Sequence, residues 1–100
     1  MFIWIPVDRM DKQSAKITKV VDAKQWALVD FTDGEVKSIR FFENRESFDE
    51  WVDFIILKER FESSIEFMNE GMMVLCVREE ETIDEITEAF KFKELDEVGF

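Results

Sequence analysis

The chain has 100 residues, the size of one domain, and 46% of them are hydrophobic, with 11 Phe and 3 Trp as large core pieces. Its three Gly and single Pro exclude a linker-rich or disordered chain. Thirteen Lys plus Arg stand against 24 Asp plus Glu, and the net charge of −11 repels phosphate backbones and anionic lipid, so nucleic acid and membrane surfaces are excluded as expected partners. The charge serves solubility, or steers a basic protein partner.

"FIWIPV", Phe2 to Val7, is a nearly continuous apolar run, the pattern of a strand covered on both faces. Pro6 has no N–H to give a ladder, so the strand is expected to end near it. "DRMDKQSAK" is a polar loop. "QWALVDFT" reads as the second strand, with Trp26, Leu28 and Asp30 on one face and Ala27, Val29 and Phe31 on the other. Asp33-Gly34 is the strongest hairpin signal, because a type I′ turn needs positive φ at both central residues. "EVKSIRFFEN" returns as a third strand, and its half-apolar Lys37, Ile39, Phe41 face suits a sheet edge.

"SFDE" matches a capping box, Ser47 to Glu50, and predicts one helical turn that gathers Phe48, Trp51 and Val52. "VDFIIL", Val52 to Leu57, is a fourth, two-sided strand. "ERFESSIEFMNEG" places Phe61, Ser64, Ile65 and Met68 at helical spacing, with Gly71 at the position that stops the helix. "MMVLCV", Met72 to Val77, is a fifth strand. "ETIDEITEAFK" opens with a second capping box, Thr82 to Glu85, and carries Ile83, Ile86 and Phe90 on one stripe. The second half is therefore a β-α-β unit with parallel strands and a right-handed crossover. The expected architecture is a three-layer α/β fold, with the first strand central and the second antiparallel to the others.

Candidate chemistry is sparse. The chain has no histidine and one cysteine, Cys76, so an intramolecular disulfide is impossible and a reducing, cytoplasmic setting is expected. No apolar stretch approaches the ~18 residues of a membrane span, and the N-terminus lacks a signal peptide's cationic region. Cys76 lies inside "VLCV", where it reads as a small core hydrophobe or as a single thiolate bridging a cluster across a dimer. Asp8 follows the first strand and Asp11 lies close by; converging carboxylates there would hold Mg²⁺ for hydrolysis, or only solvate a loop. "REEE", Arg78 to Glu81, suits a helix N-terminus. Lys16, Lys19 and Lys24 concentrate positive charge before the second strand, either to attract an anionic ligand or to balance local acids. Trp4, Trp26 and Trp51 are expected in the core. Phe90, Phe92 and Phe100 would form either an apolar interaction patch or a loose tail.

The opening "IPVD", the segment "ALVDFTDGEVKSIRFFEN", the strand "VDFIIL" with its helix up to "NEG", and the ending "ETIDEITEAFKFKEL" together resemble the dinitrogenase iron–molybdenum cofactor biosynthesis family. That family includes NifX-like proteins and the C-terminal domain of NifB-type proteins. The resemblance spans residues 2–98, in order and spacing rather than in any single word. It implies a ribonuclease H-like α/β/α fold over residues 1–100, with a five-stranded mixed sheet in order 3-2-1-4-5. It also implies a non-enzymatic carrier of iron–sulfur or iron–molybdenum cluster precursors.

Members of this type show a Ser-x-His-Phe-Gly-Arg segment before the second strand. Here Lys19 falls at the His, Val20 at the Phe, Val21 at the Gly and Asp22 at the Arg. Glycines that often follow the fourth strand are replaced by "KERFE". The cofactor-binding segment implied by the resemblance is therefore Lys16, Lys19, Val20, Val21 and Asp22. An ammonium has no lone pair for iron and valine has no donor at all, so the site is expected to be degenerate. Three readings follow: a non-enzymatic NifX-like protein for a cluster precursor, as a monomer or weak homodimer; a protein–protein or regulatory module without cofactor; and, remotely, a Mg²⁺-dependent hydrolase.

Overall fold

The computed structural model describes residues Met1–Gly99; Phe100, named above with the aromatic C-terminal end, lies outside the described residues. The strands are β1 (Phe2–Val7), β2 (Gln25–Thr32), β3 (Glu35–Phe42), β4 (Phe54–Leu57), β5 (Met73–Cys76) and β6 (Asp96–Glu97). The helices are α1 (Ile65–Asn69) and α2 (Ile83–Lys91), and 3-10 turns cover Val20–Asp22 and Arg45–Ser47. All six strands join one mixed sheet in the order β3-β2-β1-β4-β5-β6.

β1 is central because its residues are apolar on both faces. Ile3, Ile5 and Val7 pack with Ile83, Ile86 and Ala89 of α2, while Trp4 packs on the other face with Trp26, Leu28 and Phe67. β1 pairs antiparallel with β2 from Phe2↔Asp30 to Val7↔Gln25, and parallel with β4. β4 and β5 are parallel, as the β-α-β reading requires. The β2–β3 hairpin turns at Asp33 (φ 55) and Gly34 (φ 77), both positive as expected. The Thr82 capping box also forms: its hydroxyl accepts from the Glu85 N–H, and the Glu85 carboxylate accepts from the Thr82 N–H.

The structure corrects the expected fold in four places. The sheet has six strands, not five: β6 pairs antiparallel with β5 through Leu75↔Glu97 and Cys76↔Asp96. The Ser47–Glu50 capping box does not form; the chain makes a 3-10 turn over Arg45–Ser47 and then runs extended. The first helix is short, and its buried side chain is Phe67, whereas Phe61 and Ile65 are exposed. Trp51 is 63% exposed rather than part of the core.

The brevity of α1 leaves much of its side of the sheet to aromatic side chains. Trp4, 2% exposed, meets Trp26, Phe42 and Phe48 edge-on at 5.9, 5.8 and 5.9 Å, and such pairs add about 0.5–1.5 kcal/mol each beyond area burial. Arg45 closes this layer. Its guanidinium lies over Trp26 at 5.5 Å and Phe67 at 4.7 Å, and binds Glu66 at 2.7 Å and Glu70 at 3.1 Å.

Gly71 ends α1 with φ +89, and a Cβ there would collide with the indole ring of Trp51 at Cη2. At Gly34 (φ +77) a Cβ would meet open space. Gly71→Ala should therefore destabilise more than Gly34→Ala, which carries only the left-handed backbone cost of about 1–2 kcal/mol. Urea denaturation should show the excess shrinking when Trp51→Ala is added; equal losses at the two glycines would argue against the Trp51 contact.

Candidate functional site

Parallel β1 and β4 end on the same edge of the sheet, and the loops that leave them meet there. The loop from β1 is first folded back on the strand. Asp8 N–H donates to the Lys16 carbonyl at 3.1 Å, and Thr18 N–H to the Pro6 carbonyl at 2.9 Å. The Asp8 carboxylate accepts from Lys16 N–H at 3.0 Å and from the Arg9 guanidinium at 3.2 and 3.1 Å. Ile17 N–H then donates to Glu81 O at 2.8 Å, tying the loop to the entrance of α2. Beyond this anchor the chain makes the Val20–Asp22 turn and enters β2.

The loop from β4 covers residues 58–64 and supplies Glu62, whose carboxylate joins the two loops. Oε1 accepts from Val20 N–H at 2.7 Å; Oε2 accepts from Lys58 N–H at 3.1 Å and Glu59 N–H at 2.9 Å. Beside it Lys19 Nζ lies 3.2 Å from Glu59. That carboxylate holds the Lys19 ammonium above its usual range, first through the hydrogen bond and then through charge. A groove of about 470 Å³ opens between the loops, with Lys19, Val20 and Val21 on one wall and Glu59, Phe61 and Glu62 on the other. Its charged lining is one lysine against three carboxylates, Glu59, Glu62 and Glu66.

The structure thus brings together Lys19, Val20 and Val21 of the segment that the resemblance implies. Asp22 is exposed and does not line the groove. Lys16 lines a separate depression with Asp8, Lys58 and Arg78, and Lys24 is exposed outside the groove. Cys76 is 5% exposed, and burial pushes its thiol up, away from the thiolate that a metal would require. Asp8 and Asp11 act as loop braces: Asp11 accepts from Gln13 and Ser14 N–H at 2.8 and 3.1 Å. Among the described residues no group of three His, Cys, Asp or Glu is placed to hold a metal ion. Sequence reading missed Glu62 because its partner Val20 is 42 residues away and the bond uses a backbone N–H, which carries no residue signature.

Fold and groove together define an α/β domain whose mixed sheet carries a loop groove where β1 and β4 end. Two experimental structures of a candidate dinitrogenase from Methanocaldococcus jannaschii are similar to this chain. The NMR structure matches at 26% identity and TM-score 0.75, covering 100% of this chain and 94% of that one. The crystal structure matches at 24% and 0.75, covering 99% and 95%. A candidate NifB protein from Thermotoga matches at 20% identity and TM-score 0.70, covering 99% and 95%. These likenesses bear out the resemblance read from the sequence. Neither a protein-family model nor a curated protein matches the chain.

Removing the Glu62 carboxylate leaves three amide donors unpaired, and hydrogen bonds to a charged group contribute about 1.5–3 kcal/mol. Glu62→Gly should lower the urea midpoint, and formate should restore part of the loss where an equal concentration of chloride does not; no loss in the variant would contradict the bridge. Asp8 sets a separate pH dependence. Its carboxyl lies below the usual carboxylate range, first because Arg9 hydrogen-bonds it and then because Lys16 N–H does. A depressed folded pKa gives stability that is present above the unfolded value, about 3.9, and lost as pH falls through the folded one. The melting temperature should fall on acidification below about pH 4, and less steeply in Asp8→Asn; parallel pH profiles would rule out this linkage.

Proposed function

We propose that this chain is a non-enzymatic, cytoplasmic NifX-like protein with a degenerate ligand site, acting as a regulatory or protein-binding module without side-chain coordination of metal at the loop. The observation that carries this reading is the double closure at that loop. Lys19 is paired to Glu59, and the neighbouring Val20 N–H is held by Glu62 at 2.7 Å. Soft metals and iron–sulfur clusters take thiolate or imidazole, and this groove offers ammonium, isopropyl and carboxylate groups. With Glu59 paired to Lys19 and Glu66 to Arg45, the Glu62 carboxylate leaves the groove net negative, which opposes an anionic cargo. The residues present therefore do not fit a cluster precursor bound by direct coordination.

The ribonuclease H-like classification belongs to the same reading. Its support is the order β3-β2-β1-β4-β5 with antiparallel β2, which β6 extends at the far edge without interrupting. A basic protein is the partner favoured by the net charge of −11. Hydrolysis at Asp8 is not part of the proposal, because that carboxylate is engaged with Arg9 and the Lys16 amide.

Anaerobic incubation with ferrous iron, sulfide and reductant, followed by gel filtration, tests the reading. The expected result is a colourless protein that retains no iron. A retained chromophore that disappears in Cys76→Ala would overturn the proposal and restore the carrier function.

A further inference from the structure

A second cavity of about 470 Å³ lies on the α2 face of the sheet, between the C-terminal end of α2 and the first residues of β4 and β5. It falls within the range of small-molecule pockets, roughly 300–1,000 Å³. Phe31, Phe54 and Phe90 form its floor. Phe90 meets Phe31 at 5.1 Å and Phe54 at 4.9 Å, both edge-on. Leu75 and Leu95 continue the apolar lining, and Met73, 53% exposed, supplies an adaptable side chain at the rim.

The charged side chains lining this cavity are Lys91, Lys93 and Glu97, two cations to one carboxylate, the reverse of the balance in the loop groove. Among the described residues neither lysine takes part in a salt bridge. Lys93 follows the end of α2 in the left-handed region, φ 58. Its N–H donates to Phe90 O at 3.2 Å, and Glu94 N–H to Ala89 O at 2.8 Å, the hydrogen bonds of a helix stop usually built on glycine. A lysine at this position costs about 1–2 kcal/mol of backbone strain that glycine would avoid. In a chain of net charge −11, an aromatic lining that also includes two lysines, with Lys91 Nζ 5.7 Å from the Phe92 ring centroid, suits a ligand with an apolar body and one negative group.

We propose that this cavity binds a small amphipathic monocarboxylate, an aryl or medium-chain aliphatic acid. The apolar body rests on Phe31, Phe54 and Phe90, and the carboxylate meets Lys91 and Lys93 at the mouth. This site is independent of the loop groove and of the reading given for it.

Titration of the ¹⁵N-labelled full chain with decanoate tests the proposal. Saturable amide shifts are expected in residues 90–97 and in Met73–Cys76, with little change at Val20, Lys58 and Glu59. The double variant Lys91→Glu, Lys93→Glu should bind decanoate about tenfold or more weakly at an unchanged melting temperature, and 1-decanol should bind wild type more weakly than decanoate does. Met73→Trp, which keeps both lysines, should also weaken binding by occluding the rim. Absence of saturation, shifts centred on the loop groove, or equal affinity in the charge-reversed variant would overturn the assignment.

Discussion

Burial of β1 on both faces is the constraint from which the rest of the architecture follows. Ile3, Ile5, Val7 and Trp4 are at most 2% exposed, and they send side chains into separate apolar clusters on the two sides of the sheet. A strand of this kind needs neighbours on both edges and cover on both faces. The hairpin partner β2 supplies one edge and the parallel strand β4 the other. Parallel pairing then delivers the ends of β1 and β4 to the same side, so their following loops face each other across one groove. The site's location is thus a consequence of core packing, reached before any particular loop residue is considered.

What fills that location is decided by a few side chains. Glu62 places one carboxylate against amides from both loops, and Lys19 and Glu59 pair beside it. Backbone donors of both loops are satisfied within the chain, and the remaining charge is negative. The cavity on the α2 face has the contrary character, lined by aromatic rings and two lysines. A single small domain therefore carries two cavities of similar volume and opposite charge, and only the first corresponds to the segment singled out by family resemblance.

Much of this was legible in the sequence, for identifiable reasons. The apolar run at Phe2–Val7, the Asp33-Gly34 turn and the Thr82–Glu85 capping box each encode structure through contacts within a few residues. Lys19, Val20 and Val21 were singled out only through the family resemblance, and the structure puts them on one wall of the groove. The misreadings have a common origin in longer contacts. Phe61 matched a helical period, yet residues 58–64 fold around the Glu62 carboxylate, so the helix starts only at Ile65. Ser47 and Glu50 had cap spacing, but the adjacent chain is held by Arg45, which binds Glu66 and Glu70 more than twenty residues away. β6 has two residues, too few to show alternation, and depends on pairing with β5. Lys93 in a glycine-type helix stop could not be read from residue type at all.

Amide hydrogen exchange at Val20 bears most directly on whether the chain closes its own loop site. Val20 precedes β2 and belongs to no ladder, so its protection depends on the Glu62 carboxylate. The expected result is slow exchange in the ligand-free wild type, with fast exchange at Val20 in Glu62→Gly while β1 and β2 amides stay protected. Unprotected exchange at Val20 in wild type would mean that the two loops are not joined by this carboxylate, and that the groove stands open to an external ligand.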